Sequence, residues 1–163
     1  MNKKQSVAKR RRKIRFNSFE QILADAEKIV DSKHVECLGN WTPGQIFEHL
    51  AKSFRSSMHE SKAVLSIWRR IIAKIVKPFV LRFGLPSGVQ IEPASKVAAD
   101  EFMPRAKVTT EEGFELLKQV IGKLSTEPMT ARHNLFGHMS SKDWEMMHCR
   151  HAELHLSYLL IDD

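Results

Sequence analysis

Helix-start signals divide the chain into segments, and they constrain its fold more than any other feature. In a capping box, a Ser or Thr side chain and a Glu or Gln three residues later satisfy the free backbone N–H groups of the first helical turn. Three clear capping boxes are Ser18-Phe-Glu-Gln21, Thr42-Pro-Gly-Gln45 and Thr109-Thr-Glu-Glu112, and Ser140-Ser-Lys-Asp143 is a weaker version. These signals predict four main helices, over about residues 18–33, 42–62, 110–125 and 141–161.

The segments between these helices read as one further helix and two loops. Residues 64–83 predict an additional amphipathic helical segment, while residues 84–105 and 126–139 are interrupted by Gly and Pro. We find no alternating strand pattern and no internal repeat in the sequence. Four main helices with one long crossover predict an all-α fold, a four-helix bundle with one extra amphipathic helical segment.

The basic charge of the chain is concentrated at its start. Residues 1–15 hold eight Lys or Arg residues and no acid, so residues 16–163 carry 18 of the 26 basic residues against all 19 acidic ones. Such a block of like charge is typical of a disordered, solvated tail. We therefore expect a disordered basic tail over residues 1–15, dispensable for folding, and a helical domain over residues 16–163. The tail could contact anionic surfaces weakly, whereas no specific nucleic-acid binding is expected.

The cysteine content and hydropathy favour a cytoplasmic protein. Cys37 and Cys149 are far apart and match no disulfide framework, which suits a reducing compartment. The tail has no apolar region after its charges, so it does not resemble a signal peptide. The most apolar stretch, Val64 to Phe83, is interrupted by five basic residues and is therefore not expected to span a membrane.

Histidines line one face of the predicted last helix. At 100° per residue, His148, His151 and His155 fall on the same stripe as Trp144 and Tyr158, on the side expected to enter the core. Because His151 and His155 are four residues apart, both imidazoles could bind one metal ion. His148 could replace one member of the pair, and a packed, pH-sensitive histidine cluster without metal is the alternative.

A third ligand is expected from a facing helix, and His49 is the candidate. Three histidines would leave at least one metal position open for water or substrate, which is the pattern of catalytic sites. We therefore predict one divalent transition metal; neutral His ligands suit zinc, nickel or iron and do not discriminate among them.

Three separated blocks of the sequence form one pattern. The blocks are Gly39-Asn-Trp-Thr-Pro-Gly-Gln-Ile46 with His49-Leu-Ala51, then His133-Asn-Leu-Phe-Gly137, and finally Trp144, His148, His151 and His155-Leu156. This pattern resembles the DinB-like superfamily of metalloenzymes, and most closely a branch known as a domain of unknown function. The sequence departs from this pattern at Leu154, where relatives often have His, and at Asn134, where proline is expected.

The resemblance implies both a topology and a site. It implies an up-down-down-up four-helix bundle over residues 16–161, with a metal bound by His49, His151 and His155. Characterised relatives include transferases and an isomerase that act with low-molecular-weight thiols. The implied function is a metal-dependent thiol transferase or hydrolase acting on a small molecule.

An alternative is a non-catalytic protein that binds metal or a membrane surface. Residues 64–83 support it, because they combine a broad apolar side with basic residues and no acid. We expect this apolar side to be covered by the protein's own bundle or by a partner subunit, as in a homodimer, rather than by a membrane.

Several other polar residues are weaker candidates. Glu48 and Glu60 could act as bases, but a solvated position on a helix face is the expected role. His133 and His138 could line the mouth of the site or lie in a plain surface loop. Cys149 is predicted to face away from the histidines and is not proposed as a ligand or nucleophile.

Overall fold

Five helices and one pair of short strands make up the regular structure of the described residues. The structure is a computed structural model that describes residues 10–58, 67–84, 101–133 and 136–162, without the side chains of residues 67–74. The elements in chain order are α1 (Phe19–Asp31), β1 (Val35–Cys37), α2 (Pro43–Arg55), α3 (Ile67–Phe83), α4 (Thr110–Leu124), α5 (Ser141–Leu156) and β2 (Leu159–Ile161). The prediction of a mainly helical chain is confirmed.

The helix-start signals identify the beginnings of the helices correctly. At α2, the Gln45 backbone N–H donates to the Thr42 hydroxyl, and the Thr42 backbone N–H donates to the Gln45 side chain. Thr109 and Glu112 form the same reciprocal pair at α4. Ser18 begins α1 without a side-chain capping bond. The helices therefore begin within a residue or two of the predicted positions, and this includes α1, whose capping bond does not form.

The ends of two helices differ from prediction, and a small sheet was missed. Helix α2 ends at Arg55 rather than near residue 62, and α5 ends at Leu156 rather than at residue 161. Strand β2 follows α5 and pairs antiparallel with β1, with Val35 opposite Ile161. Strands of three residues are too short to show alternation, and their pairing depends on two segments far apart in sequence.

One hydrophobic core joins four of the helices. Helix α1 contacts α4 and α5, and α2 contacts the same two helices. Fully buried side chains from all four fill the space between them, among them Ile22, Phe47, Phe54, Leu117 and Leu156. The histidine-bearing helices α2 and α5 are thus held together by the core.

Two glycines allow α2 and α4 to approach closely at their first turns. A Cβ added to Gly44 would lie 2.2 Å from the Thr109 carbonyl oxygen, and one added to Gly113 would lie 2.3 Å from the Gly44 carbonyl oxygen. Since no side chain fits such gaps, the absence of a Cβ sets the spacing of these helices.

Residues 10–15, which belong to the predicted basic tail, form specific hydrogen bonds with the folded domain. The Arg12 guanidinium donates to both carboxylate oxygens of Asp25, at 2.8 and 2.7 Å, and to the Leu156 carbonyl. Arg11 donates to the Ser157 hydroxyl. A run of basic residues is solvated only where the fold offers no hydrogen-bond acceptors for it. Here the carbonyls at the end of a helix and a carboxylate accept hydrogen bonds from the arginines. Residues 1–9 lie outside the described residues.

Helix α3, the extra amphipathic helix, lies against α5. Val80 is buried in a small cluster with Phe136 and Met147, and Lys77 forms an ion pair with Asp143 at 2.7 Å. Among the described residues, no helix is both long and apolar enough to cross a membrane. Most of the predicted connection after α3, residues 85–100, lies outside the described residues.

Candidate metal centre

Three histidines from two helices meet at one point. His49 of α2 lies opposite His151 and His155, which occupy successive turns of α5, and one ring nitrogen from each lies within 4.8 Å of the other two. The Nε2 atoms of His49 and His151 are 3.2 Å apart. The structure thus brings together the three residues that sequence analysis selected, and they are positioned to hold a metal ion.

The tautomer of His49 is fixed by a backbone carbonyl. Its Nδ1 lies 2.8 Å from the carbonyl oxygen of Phe102, which can only accept a hydrogen bond. Nδ1 therefore carries the proton, and Nε2 presents its lone pair toward His151. A histidine that ligates a metal commonly donates its other N–H in this way, which orients the ring and raises its basicity.

An indole ring closes one side of the histidine cluster. Trp41 precedes the capping box of α2, and its ring stacks against His155 at 5.6 Å and lies 4.8 Å from His49. The rings of His151 and His155 are themselves 4.7 Å apart. Trp41 restricts the rotation of two imidazoles, a role that its place in the sequence did not reveal.

A strap formed by residues 102–106 lies along α2 beside His49. Glu48 accepts hydrogen bonds from the backbone N–H and the guanidinium of Arg105, at 2.8 and 2.7 Å. Lys52 donates to the Met103 carbonyl at 2.7 Å. These bonds hold the carbonyl of Phe102 over His49.

The prediction that Glu48 has a solvated position is therefore wrong. Its carboxylate is buried, and although burial opposes ionisation, the hydrogen bonds from Arg105 and the charge of Lys52 lower its pKa. It serves the strap and is not free to act as a base. Glu60 lies outside the described residues.

Burial keeps the three histidines neutral. Removal from water lowers the pKa of His155 to about 3 and that of His151 well below its ordinary value, and neighbouring imidazoles add to both shifts. Burial also lowers the pKa of His49. Since a metal binds only the neutral imidazole, all three groups are in the binding form at neutral pH.

His148 lies apart from the cluster, in an aromatic pocket. Its ring is fully buried between Phe54 and Trp144, at 4.3 and 5.3 Å, and contacts Phe19 as well. Among the described residues, its Nε2 has no hydrogen-bond partner. The structure therefore assigns His148 to the core, and its substitution for His151 or His155 is not supported.

The remaining candidates lie elsewhere. His133 stacks on Phe136 and contacts Trp144, and burial lowers its pKa to about 4, whereas His138 is exposed. Cys149 is buried on another face of α5, and burial together with nearby carboxylates raises its pKa to about 12. Cys149 thus lies in the core, away from the three histidines.

The donor set fits a transition metal. Two imidazole nitrogens bound tetrahedrally at the usual zinc–nitrogen length are ~3.3 Å apart. The Nε2 atoms of His49 and His151 meet this spacing at 3.2 Å, while the three ligand atoms together lie within 4.8 Å of one another. The outward nitrogen of His49 is already bound to the Phe102 carbonyl, so only Nε2 is available to an ion.

Comparison with known families supports one assignment. A family model described as Protein of unknown function (DUF1569) matches residues 8–161, which is nearly the whole chain. The chain belongs to the DUF1569 family. No curated protein and no solved structure matches it. The DUF1569 match includes His49, His151 and His155, and it also includes the N-terminal residues that pack on α5.

Proposed function

We propose that this DUF1569 protein binds one divalent transition metal through His49, His151 and His155. The observation that carries the proposal is the convergence of three neutral imidazoles, with the tautomer of His49 fixed so that its free nitrogen faces the other two. The Nε2 atoms of His49 and His151 lie 3.2 Å apart, and a metal ion at this point would accept the lone pairs of the neutral rings. Three protein ligands also leave a position open for water or a substrate.

Metal content of purified protein tests the proposal directly. Protein prepared without chelator or nickel resin should contain close to one zinc, nickel or iron per chain. His151→Ala should lower the affinity by at least about tenfold, while His138→Ala, which removes an exposed histidine, should leave it unchanged. Absence of metal together with no uptake of any of the three ions would overturn the proposal.

We also propose that the DUF1569 family is a branch of the DinB-like superfamily, with an up-down-down-up four-helix bundle. The support is that α1, α2, α4 and α5 contact one another in a closed ring around one core. The unpaired thiols of Cys37 and Cys149 are in keeping with a cytoplasmic location. An experimentally determined structure would check the helix directions.

The activity that we propose is a metal-dependent transferase or hydrolase reaction on a small molecule, with a low-molecular-weight thiol as one reactant. A bound metal ion would supply Lewis acidity and lower the pKa of a thiol or water. In the protein, Trp41 and the Phe102 carbonyl hold the ligands in place.

Binding of a thiol at the metal is a measurable first step. Cobalt-substituted protein should develop a sulfur-to-cobalt charge-transfer band when glutathione or another small thiol is added. His151→Ala should lose this band. A fully loaded cobalt protein that shows no spectral change with any small thiol would exclude thiol chemistry at this site, while the metal site itself would stand.

A further inference from the structure

An apolar stripe on α3 is open to solvent. Ile75, Phe79 and Phe83 repeat at intervals of four residues, so they lie along one side of the helix, and they are 66%, 62% and 69% exposed. The rings of Phe79 and Phe83 stack at 6.3 Å. Three large apolar side chains in one exposed row differ from the scattered apolar residues of an ordinary surface.

The orientation of this stripe is fixed by the opposite side of the helix. Val80 packs on Phe136 and Met147, and Lys77 pairs with Asp143 of α5. Among the described side chains of α3, those of Val80 and Lys77 contact the bundle, as expected for a covered helix. The row from Ile75 to Phe83 lies outside this contact.

Basic groups surround the end of the stripe. The Arg82 guanidinium lies 5.6 Å from the ring centre of Phe83, and the side chain of Arg15 donates to the Arg82 carbonyl. A cavity of about 200 Å³ opens beside Phe83, and its lining includes Arg11, Lys13 and Arg15. The one acidic residue of the lining, Glu153, pairs with Arg15 at 3.3 Å. Residues 62–83 contain six basic residues and no acid.

We propose that the stripe and this basic cavity together form a surface that docks on membranes with anionic headgroups. The aromatic and aliphatic side chains would enter the interface between headgroups and acyl chains, while the basic groups contact lipid phosphates. A symmetric contact with a second copy would instead bring two acid-free basic helices together, which like charges oppose. The surface extends beyond the metal proposal and does not depend on it.

Vesicle flotation of the full chain tests this proposal. The chain should float with phosphatidylcholine vesicles that contain about a quarter phosphatidylglycerol, and not with phosphatidylcholine alone. Part of the binding should persist in about 0.5 M salt, because the apolar contribution is not screened. Phe79→Ser with Phe83→Ser should lower the partition at least about tenfold.

Matched variants separate the apolar and basic contributions. Met103→Ser removes an exposed apolar side chain outside the stripe and should bind as the unchanged protein does. Lys13→Glu should weaken binding more than Lys118→Glu, the same charge change at an exposed position of α4. Circular dichroism checks that each variant remains folded.

Three results would overturn the proposal. Equal binding by the Phe79→Ser, Phe83→Ser protein would show that charge alone attracts the chain to vesicles. Failure of the unchanged protein to float, with a dimer seen by light scattering, would identify a second copy as the occupant. If the unchanged protein is monomeric and does not float, another part of the chain covers the stripe.

Discussion

At the scale of single residues, the buried His148 makes the stability of the protein depend on pH. Burial lowers the pKa of His148 to about 3 from an ordinary value of 6.5. Above 6.5, the ring is neutral in both the folded and the unfolded chain. Below it, the unfolded chain takes up a proton that the folded chain does not, so the free energy of unfolding falls as pH drops from about 6.5 to about 3.

Replacing His148 by Phe should therefore flatten the acid side of the stability profile. The slope should decrease by up to about 1.4 kcal/mol per pH unit in that range, since one titrating group is removed. His133 and His155 keep part of the slope, because burial lowers their pKa values to about 4 and about 3. Urea unfolding of the metal-free proteins at several pH values measures how the free energy of unfolding changes with pH.

The control is His138→Ala, which removes an exposed histidine and should leave the slope unchanged. An unaltered slope in His148→Phe would mean that the buried ring is protonated as readily as an exposed one. Metal content should be the same in His148→Phe and in the unchanged protein, because this ring lies in the aromatic pocket and not in the triad.

At the scale of elements, two glycines of α4 provide a matched pair. Gly113→Ala places a Cβ against the Gly44 backbone, at 2.3 Å from its carbonyl oxygen, so α2 and α4 must move apart. We expect a loss of about 3 kcal/mol or more in the free energy of unfolding, because backbone on both sides cannot yield as a side chain can.

Gly122→Ala adds the same methyl group where no atom lies within 4 Å. It should raise the free energy of unfolding by about 0.5–1 kcal/mol, since Ala favours the helix over Gly. Chemical denaturation of both variants makes the comparison. Similar effects of the two substitutions would show that the helices do not approach as closely as the structure indicates.

At the scale of the whole molecule, the N-terminal segment joins elements that are far apart in sequence. Arg12 connects Asp25 of α1 with the last carbonyl of α5, and the Phe16 backbone N–H donates to Glu153 at 2.6 Å. Arg150 is also fully buried, and it pairs with Glu153. We therefore expect residues 10–15, unlike the rest of the predicted tail, to contribute to the stability of the fold.

Two truncations should distinguish these parts. Deleting residues 1–9 should leave thermal stability unchanged, whereas deleting residues 1–15 should lower it, because Asp25 loses a partner in a largely buried ion pair.

Arg12→Ala alone should reduce the free energy of unfolding by about 2 kcal/mol or more. Arg10→Ala removes an exposed pair with Glu36 and should cost less than about 1 kcal/mol. Equal losses from the two substitutions would contradict the assigned packing.

The sequence by itself determined the features that depend on local chemistry. Capping hydroxyls at Thr42 and Thr109 mark helix starts because their partners lie three residues away. The spacing of His151 and His155 places both rings on one side of a helix, and it requires no knowledge of the remaining chain. The choice of His49 followed from the expectation that a facing helix supplies the third ligand.

The tertiary structure decided the features that depend on contacts between distant segments. The carbonyl of Phe102 has no signal in sequence, yet it fixes the tautomer of His49. Glu48 and Arg12 are charged and would be expected at the surface. Each instead pairs with a residue distant in sequence: Glu48 with Arg105, 57 residues away, and Arg12 with Asp25, 13 residues away. The short strands likewise form because two segments far apart in sequence meet in the fold. The burial of Glu48 and Arg12 depends on partners that the fold supplies, and those partners are not a property of the local sequence.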